Sequence, residues 1–228
     1  MWEDSPPEIH EVYDRLVELH GELELTPRRE PMRELVSTML SHRTTHKDEE
    51  LAYERMMERF ETWEGIRDAP LGELTDAIRT SRYPEAKARN IKKTLSLLFE
   101  ERGEANIDFL ANLPADEGLA WLTRFPGVGV KTATLVLLFN FHKPVLPVDT
   151  HVHRISLRVG LISEKTSANK AHDLLLDMLP EDPYVLYNFH KALLRHGQRV
   201  CTYSNPRCER CPLTGLCDWY AQNRAREG

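Results

Sequence analysis

Apolar residues recur along this chain with a helical period, and no stretch alternates strictly with a period of two. From Pro6 to about Glu22 one face carries Ile9, Val12, Tyr13, Leu16 and Val17. From Pro31 to His42 the corresponding face carries Met32, Leu35, Val36, Met39 and Leu40. The same pattern predicts helices near 47–60, 71–79, 84–102, 115–124, 130–141, 151–159, 167–179 and 182–197. Breakers separate them: Thr26-Pro27, Ala69-Pro70, Gly103, Leu113-Pro114, Pro126-Gly127, Pro144, Pro147 and Pro180. The expected fold class is all-α, built from about ten short helices, with a polar tail after Trp219 that frays. There is no internal repeat and no low-complexity tract.

Composition narrows the class. The 228 residues are 41% hydrophobic and 29% charged, ordinary for a soluble globular protein that buries a real core. The longest apolar run, around Leu135 to Phe139, is too short to span a bilayer. The acidic N-terminus MWEDSPPEIHEV lacks a secretory pattern, so the expected location is the cytoplasm. The net charge of −6 argues weakly against a nucleic-acid partner. Yet residues 1–30 hold nine acids against three bases, which is the whole excess. The stretch 191–210 carries Lys191, Arg195, Arg199, Arg207 and Arg210 against Glu209 alone. On charge alone this is either a local basic surface or a solvated helix face.

Three segments carry candidate chemistry. The first is FPGVGVKTA, Phe125–Ala133, a tight reversal between two expected helices. Glycines at 127 and 129 permit positive φ and close approach to bare backbone. The amides of Val128, Gly129 and Val130 are then three donors at a helix N-terminus, a site for an anion such as a DNA phosphate. The plainer alternative is an ordinary packing joint between helices. Lys131 follows, in a helix otherwise apolar all round and therefore buried. It either snorkels to solvent or lines a pocket. The helix dipole and desolvation both favour its neutral, nucleophilic form.

The second segment is VDTHVHRI, Val148–Ile155. Asp149 stands where an N-cap belongs; alternatively, it faces the pocket of Lys131 if the preceding loop folds back. His151 and His153 are two apart and fall on different sides of a helix, so a metal pair is not expected. The third segment is CTYSNPRCERCPLTGLC, which holds all four cysteines: Cys201, Cys208, Cys211 and Cys217. In a reducing compartment the spacing C-x6-C-x2-C-x5-C points to a metal centre rather than disulfides. Zinc sites usually present two close pairs and here there is one, which leans toward an iron–sulfur cluster while leaving zinc open.

Taken together, in this order and spacing, the three segments resemble endonuclease III, a DNA glycosylase/AP lyase family of the helix–hairpin–helix superfamily, from about Leu35 to Cys217. The resemblance implies a two-domain all-α fold with DNA in the cleft between the domains. Residues 28–142 would form a six-helix barrel domain, and 1–27 with 143–228 a domain holding a 4Fe–4S cluster. It implies Lys131 as Schiff-base nucleophile, Asp149 as catalytic aspartate and the four cysteines as cluster ligands. The turn Gly127, Val128, Gly129 and Val130 would be the phosphate-binding hairpin, with Arg207 on a basic cluster loop. The expected partner is damaged or abasic double-stranded DNA, bound by a monomer on the nucleoid. Two positions depart from the family pattern: Arg43 in LSHRTT stands where glutamine is common, and Arg82 in SRYPEAK where an apolar residue is usual, with one residue extra. Arginine is not equivalent to either. A related adenine glycosylase lacks the lysine and has glutamate where Ser37 stands, so adenine removal is not expected. The competing expectations are an abasic-site binding protein of the same scaffold with little turnover, and a zinc-stabilised DNA-binding protein.

Overall fold

The computed structural model describes residue 2, residues 5–27 and residues 29–227, without the side chains of Pro7 and of 224–227. Arg28, the expected start of the barrel domain, lies outside these. Among the described residues the chain is helical, with no strand. The first helices are α1 (Pro7–His20), α2 (Pro31–Ser41), α3 (His46–Phe60), α4 (Trp63–Asp68), α5 (Leu71–Ala77) and α6 (Pro84–Arg102). There follow α7 (Ala115–Thr123), α8 (Val130–Phe141), α9 (Thr150–Val159), α10 (Ala168–Leu176), α11 (Pro183–Arg199) and α12 (Asp218–Glu227). Two 3-10 turns span Asp108–Asn112 and Cys208–Arg210. Proline opens α1, α2, α6 and α11, where its missing N–H costs nothing.

The chain divides into two compact units, one of Pro27–Phe141 and one of Met1–Thr26 with His142–Gly228. In the first, α8 is buried continuously from Thr132 to Leu138, as an all-apolar helix must be. Helices α2 and α7 pack against it. Gly118 makes the second contact close: a Cβ there would lie 2.9 Å from Leu137 Cδ2. Leu35, Leu40, Ile91, Leu95 and Leu98 are also fully buried in this unit. Arg29 enters it with its side chain 7% exposed and pairs with Glu49 and Glu50, and Arg33 pairs with Glu50. His46, Glu49 and Glu50 come together closely enough to hold a cation. The two guanidiniums already neutralise the carboxylates there.

In the other unit α11 packs against α1 and α9, and α9 against α10 and α12. Ile9, Val12 and Leu16 of α1 are fully buried, and so are Leu186 and Leu193 of α11. The polar tail is not frayed through its described length: α12 runs from Asp218 to Glu227. Its anchors are tertiary. The Arg158 guanidinium lies 4.8 Å over the Trp219 ring, and a Cβ on Gly160 would collide with Asp218. Helix α4 was also not anticipated. It has six residues and one buried side chain, Ile66, too little for a periodic signal, and it is started by Thr62, whose Oγ1 accepts from Gly65 N at 3.0 Å.

Candidate functional site

The hairpin forms between α7 and α8, and it uses its two glycines differently. Gly127 adopts φ +81°, and a Cβ there would come within 2.6 Å of Asn90 Nδ2. That turn requires glycine. Gly129 does not use the positive φ that a glycine permits. A Cβ at Gly129 would meet nothing within 4 Å, so its bareness serves no internal contact and leaves the backbone open to a ligand. Val128 is a correction. Its amide donates to Phe125 O at 3.1 Å and its side chain is buried, so closing the turn consumes that donor. The amides of Gly129 and Val130 have no acceptor among the described residues. Two outward amides, not three, therefore stand at the N-terminus of a 12-residue helix, where the dipole favours an anion.

Lys131 is half-buried in the first turn of α8, followed by seven buried residues. Near it lies the loop after α2. Burial, and then the charges of Lys87, Arg43 and Lys131, lower the pKa of His42 below the usual histidine value, so Lys131 is within electrostatic reach of this loop. Arg43 is exposed and left-handed, φ +54°. A second loop precedes α6 and exposes Arg82. Beside it Tyr83 is left-handed, φ +58°, and 54% exposed. The sequence reading passed over Tyr83. Its local sequence argued against such a backbone, because a residue before proline is normally extended. The only available signal was an aromatic next to Arg82 in a loop.

Asp149 is an N-cap, as its position predicted. Its Oδ1 accepts from His151 N and from Val152 N, both at 2.8 Å, so the cap does not use Oδ2. The segment leading to it is pinned from two helices. His172 Nδ1 meets Leu146 O at 2.8 Å, and His190 Nδ1 meets Pro147 O at 2.9 Å. His151 and His153 do not converge: the first contacts Arg154 and the second Thr166 O. Lys131 belongs to the unit Pro27–Phe141 and Asp149 to the other.

The four cysteines are free thiols lining one cavity, together with Arg158, Val200, Arg207 and Trp219. Burial raises three of them above the usual thiol range, Cys211 to about 11. Thiols so placed become thiolate ligands only when a bound cation supplies the charge. Four cysteines on one cavity are a donor set that fits a thiolate-bound metal group, zinc or iron–sulfur. Polar neighbours hold the cage. Arg158 Nη1 donates to Cys201 Sγ at 3.3 Å, Arg154 Nη2 donates to Cys201 O at 2.8 Å, and His196 Nε2 lies 3.4 Å from Cys211 Sγ. Arg207 is exposed at the start of the turn Cys208–Arg210.

Residues 36–181 match the sequence profile described as HhH-GPD superfamily base excision DNA repair protein. The chain belongs to this superfamily. An endonuclease III of Thermotoga maritima is 36% identical over 191 residues, 84% of this chain and 84% of that protein. An endonuclease III of Bacillus subtilis is 30% identical over 209 residues, 92% and 90% of the two. The DNA glycosylase/AP lyase ROS1 of Arabidopsis thaliana is 29% identical over 174 residues, 70% of this chain but 12% of that protein. A solved structure of a trapped endonuclease III–DNA covalent intermediate superposes with a TM-score of 0.82 at 27% identity, covering 95% of this chain and 97% of that one. A thermostable thymine-DNA glycosylase shares the fold, with a TM-score of 0.77 at 20% identity.

This HhH-GPD protein is thus an endonuclease III-like base excision repair DNA glycosylase, in a family of glycosylases with abasic-site lyase activity. The matched span contains Arg43, Arg82, the hairpin, Lys131 and Asp149. It ends before the four cysteines. Among the described residues no helix is long and apolar enough to cross a membrane.

Proposed function

We propose that the chain removes oxidised pyrimidines from duplex DNA through an imine at Lys131 and then cleaves the abasic strand by β-elimination. The observation that carries this reading is Lys131 itself, half-buried in the first turn of an otherwise buried helix, directly after the open backbone of Gly129. A phosphate held by the Gly129 and Val130 amides brings the sugar–phosphate chain to the lysine without reading sequence. The target nucleotide must leave the stack, because its C1′ is out of reach inside the duplex. The amine of Lys131 then attacks C1′, the glycosidic bond breaks and the protonated base departs. The ring opens to an imine. Loss of a C2′ proton expels the 3′ phosphate, and water releases the sugar and regenerates the amine. Asp149 provides the carboxylate that takes the amine's proton or stabilises the cationic sugar.

Cys201, Cys208, Cys211 and Cys217 would hold a 4Fe–4S cluster, which supplies folding energy to an irregular loop and takes no part in the covalent steps. That loop would present Arg207 to the DNA backbone. Arg43, with Arg82 and Tyr83, would enter the space that the extruded nucleotide vacates.

The test is borohydride trapping on duplex DNA carrying thymine glycol or an abasic site. Wild-type protein should form a covalent adduct, and Lys131→Ala should form none; an adduct of equal yield with the variant rules out the mechanism. A second reading rests on Arg43 standing where glutamine is common: an abasic-site binding protein that holds such DNA tightly and does not cut it.

A further inference from the structure

The unit that carries Lys131 contains a buried ammonium that no step above uses. Lys87, in the first turn of α6, is 7% exposed. Its Nζ donates to Leu40 O at 2.6 Å, His42 O at 2.8 Å, Ser81 Oγ at 2.8 Å and Thr44 Oγ1 at 3.1 Å. A lysine has three N–H donors, so these four acceptors share them. All four are neutral, and burial lowers the Lys87 pKa to about 8. A cation in such a place is costly without a counter-charge. The end of α2 offsets part of that cost, because Leu40 O and His42 O lie at its C-terminal, electronegative end.

Helix capping alone would need only those two carbonyls. The remaining contacts reach further. Ser81 Oγ also bonds Leu40 O at 2.8 Å, and Arg82 N donates to Thr44 Oγ1 at 3.0 Å. The ammonium is therefore the centre of a network that joins the loop after α2 to the loop before α6. Each loop holds one non-glycine residue in the left-handed region, Arg43 in one and Tyr83 in the other. Strain of that kind persists only where surrounding bonds over-determine it. Each loop also turns long side chains outward: Arg43 from one, Arg82 and Tyr83 from the other. An apolar residue at 87 would take the ammonium from two carbonyls and two hydroxyls, leaving the loops joined through the Ser81–Leu40, Arg82–Thr44 and Thr44–Ser81 hydrogen bonds but without the charged centre that ties these together.

We propose that Lys87 is a positioning residue that registers these two loops, so that Arg43 and the Arg82–Tyr83 pair enter a duplex as one rigid unit when a nucleotide is extruded. This rests on the DNA glycosylase reading, but its test does not need chemistry. A duplex carries a tetrahydrofuran abasic analogue with 2-aminopurine opposite it. Insertion of the loops unstacks the 2-aminopurine and raises its fluorescence. Saturating wild-type protein should raise it. Lys87→Met at saturation should give less than about a third of that rise, while its affinity for undamaged duplex shifts by less than about threefold. The double variant Thr44→Val/Ser81→Ala keeps the cation and removes two acceptors. It should lose fluorescence in the same sense, and it decides the matter if Lys87→Met does not fold. Full fluorescence in a folded variant, equal losses on damaged and undamaged duplex, or no rise with the wild type would each overturn the proposal. Failure of borohydride trapping would instead count against the Lys131 mechanism and leave this readout intact.

Discussion

Asp149 caps α9 through two amides at 2.8 Å on its Oδ1, and the proposed mechanism gives its carboxylate a second role that single substitutions can separate. Asparagine caps as well as aspartate does, whereas alanine cannot cap. Asp149→Asn should therefore keep the stability of the wild type within a few tenths of a kcal/mol, while single-turnover base release falls by about a hundredfold or more. Asp149→Ala should lose the same activity and about 1 kcal/mol of stability as well. Denaturant melts and single-turnover assays on both variants decide it; full activity in Asp149→Asn would leave the residue only its cap. The cap was legible in the sequence because it is local: the acceptor and both donors lie within three residues. The pinning of the preceding segment was not. His172 meets Leu146 O from 26 positions away and His190 meets Pro147 O from 43, and nothing in the residue types names those partners.

At the level of elements, the hairpin shows how one motif divides its labour. Gly127 is needed for the fold, through a φ of +81° and the side chain of Asn90. Gly129 is not needed for the fold, because a Cβ there would meet nothing within 4 Å, and the proposed function uses its open backbone to receive a phosphate. Gly127→Ala should cost about 1–2 kcal/mol of stability. Gly129→Ala should change stability by less than about 0.5 kcal/mol, yet weaken binding to duplex DNA by partly covering the anion site. Thermal melts and fluorescence-anisotropy titrations separate the two effects; a large loss of stability in Gly129→Ala would remove the functional role given to it. The helices around the hairpin followed from apolar period and proline placement. α8 in particular begins at Val130 and ends at Phe141, as expected. The elements that escaped were those whose stability is borrowed. α4 is six residues long, and α12 is polar and is held by Trp219 and Asp218 against partners some 60 residues earlier, Arg158 and Gly160.

For the molecule as a whole, the proposed cluster would matter most to the order of the cysteine loop. Between Val200 and Leu213 the only regular structure is one turn, Cys208–Arg210. The purified protein should contain iron and inorganic sulfide, not zinc. Cys208→Ser should lose iron and expose the loop to trypsin at Arg207 and Arg210. Stoichiometric zinc, or unchanged iron and protease resistance in the variant, would contradict the cluster assignment. Sequence alone settled what depends on neighbours along the chain: the helical class, most helix positions, the hairpin between α7 and α8, the cap at Asp149 and the grouping of four cysteines. Periodicity, proline at a first helical turn and side-chain capping act over a few residues, so the order of residues contains them. Tertiary structure decided what depends on distant partners. It spent the Val128 amide inside the turn, left the space beside Gly129 open and put Arg43 and Tyr83 in left-handed backbone. It also gathered Leu40, His42, Thr44 and Ser81 around one ammonium, with Leu40 and Lys87 47 positions apart. A buried cation takes whichever acceptors the packed helices leave unpaired, and that choice exists only once the helices have met.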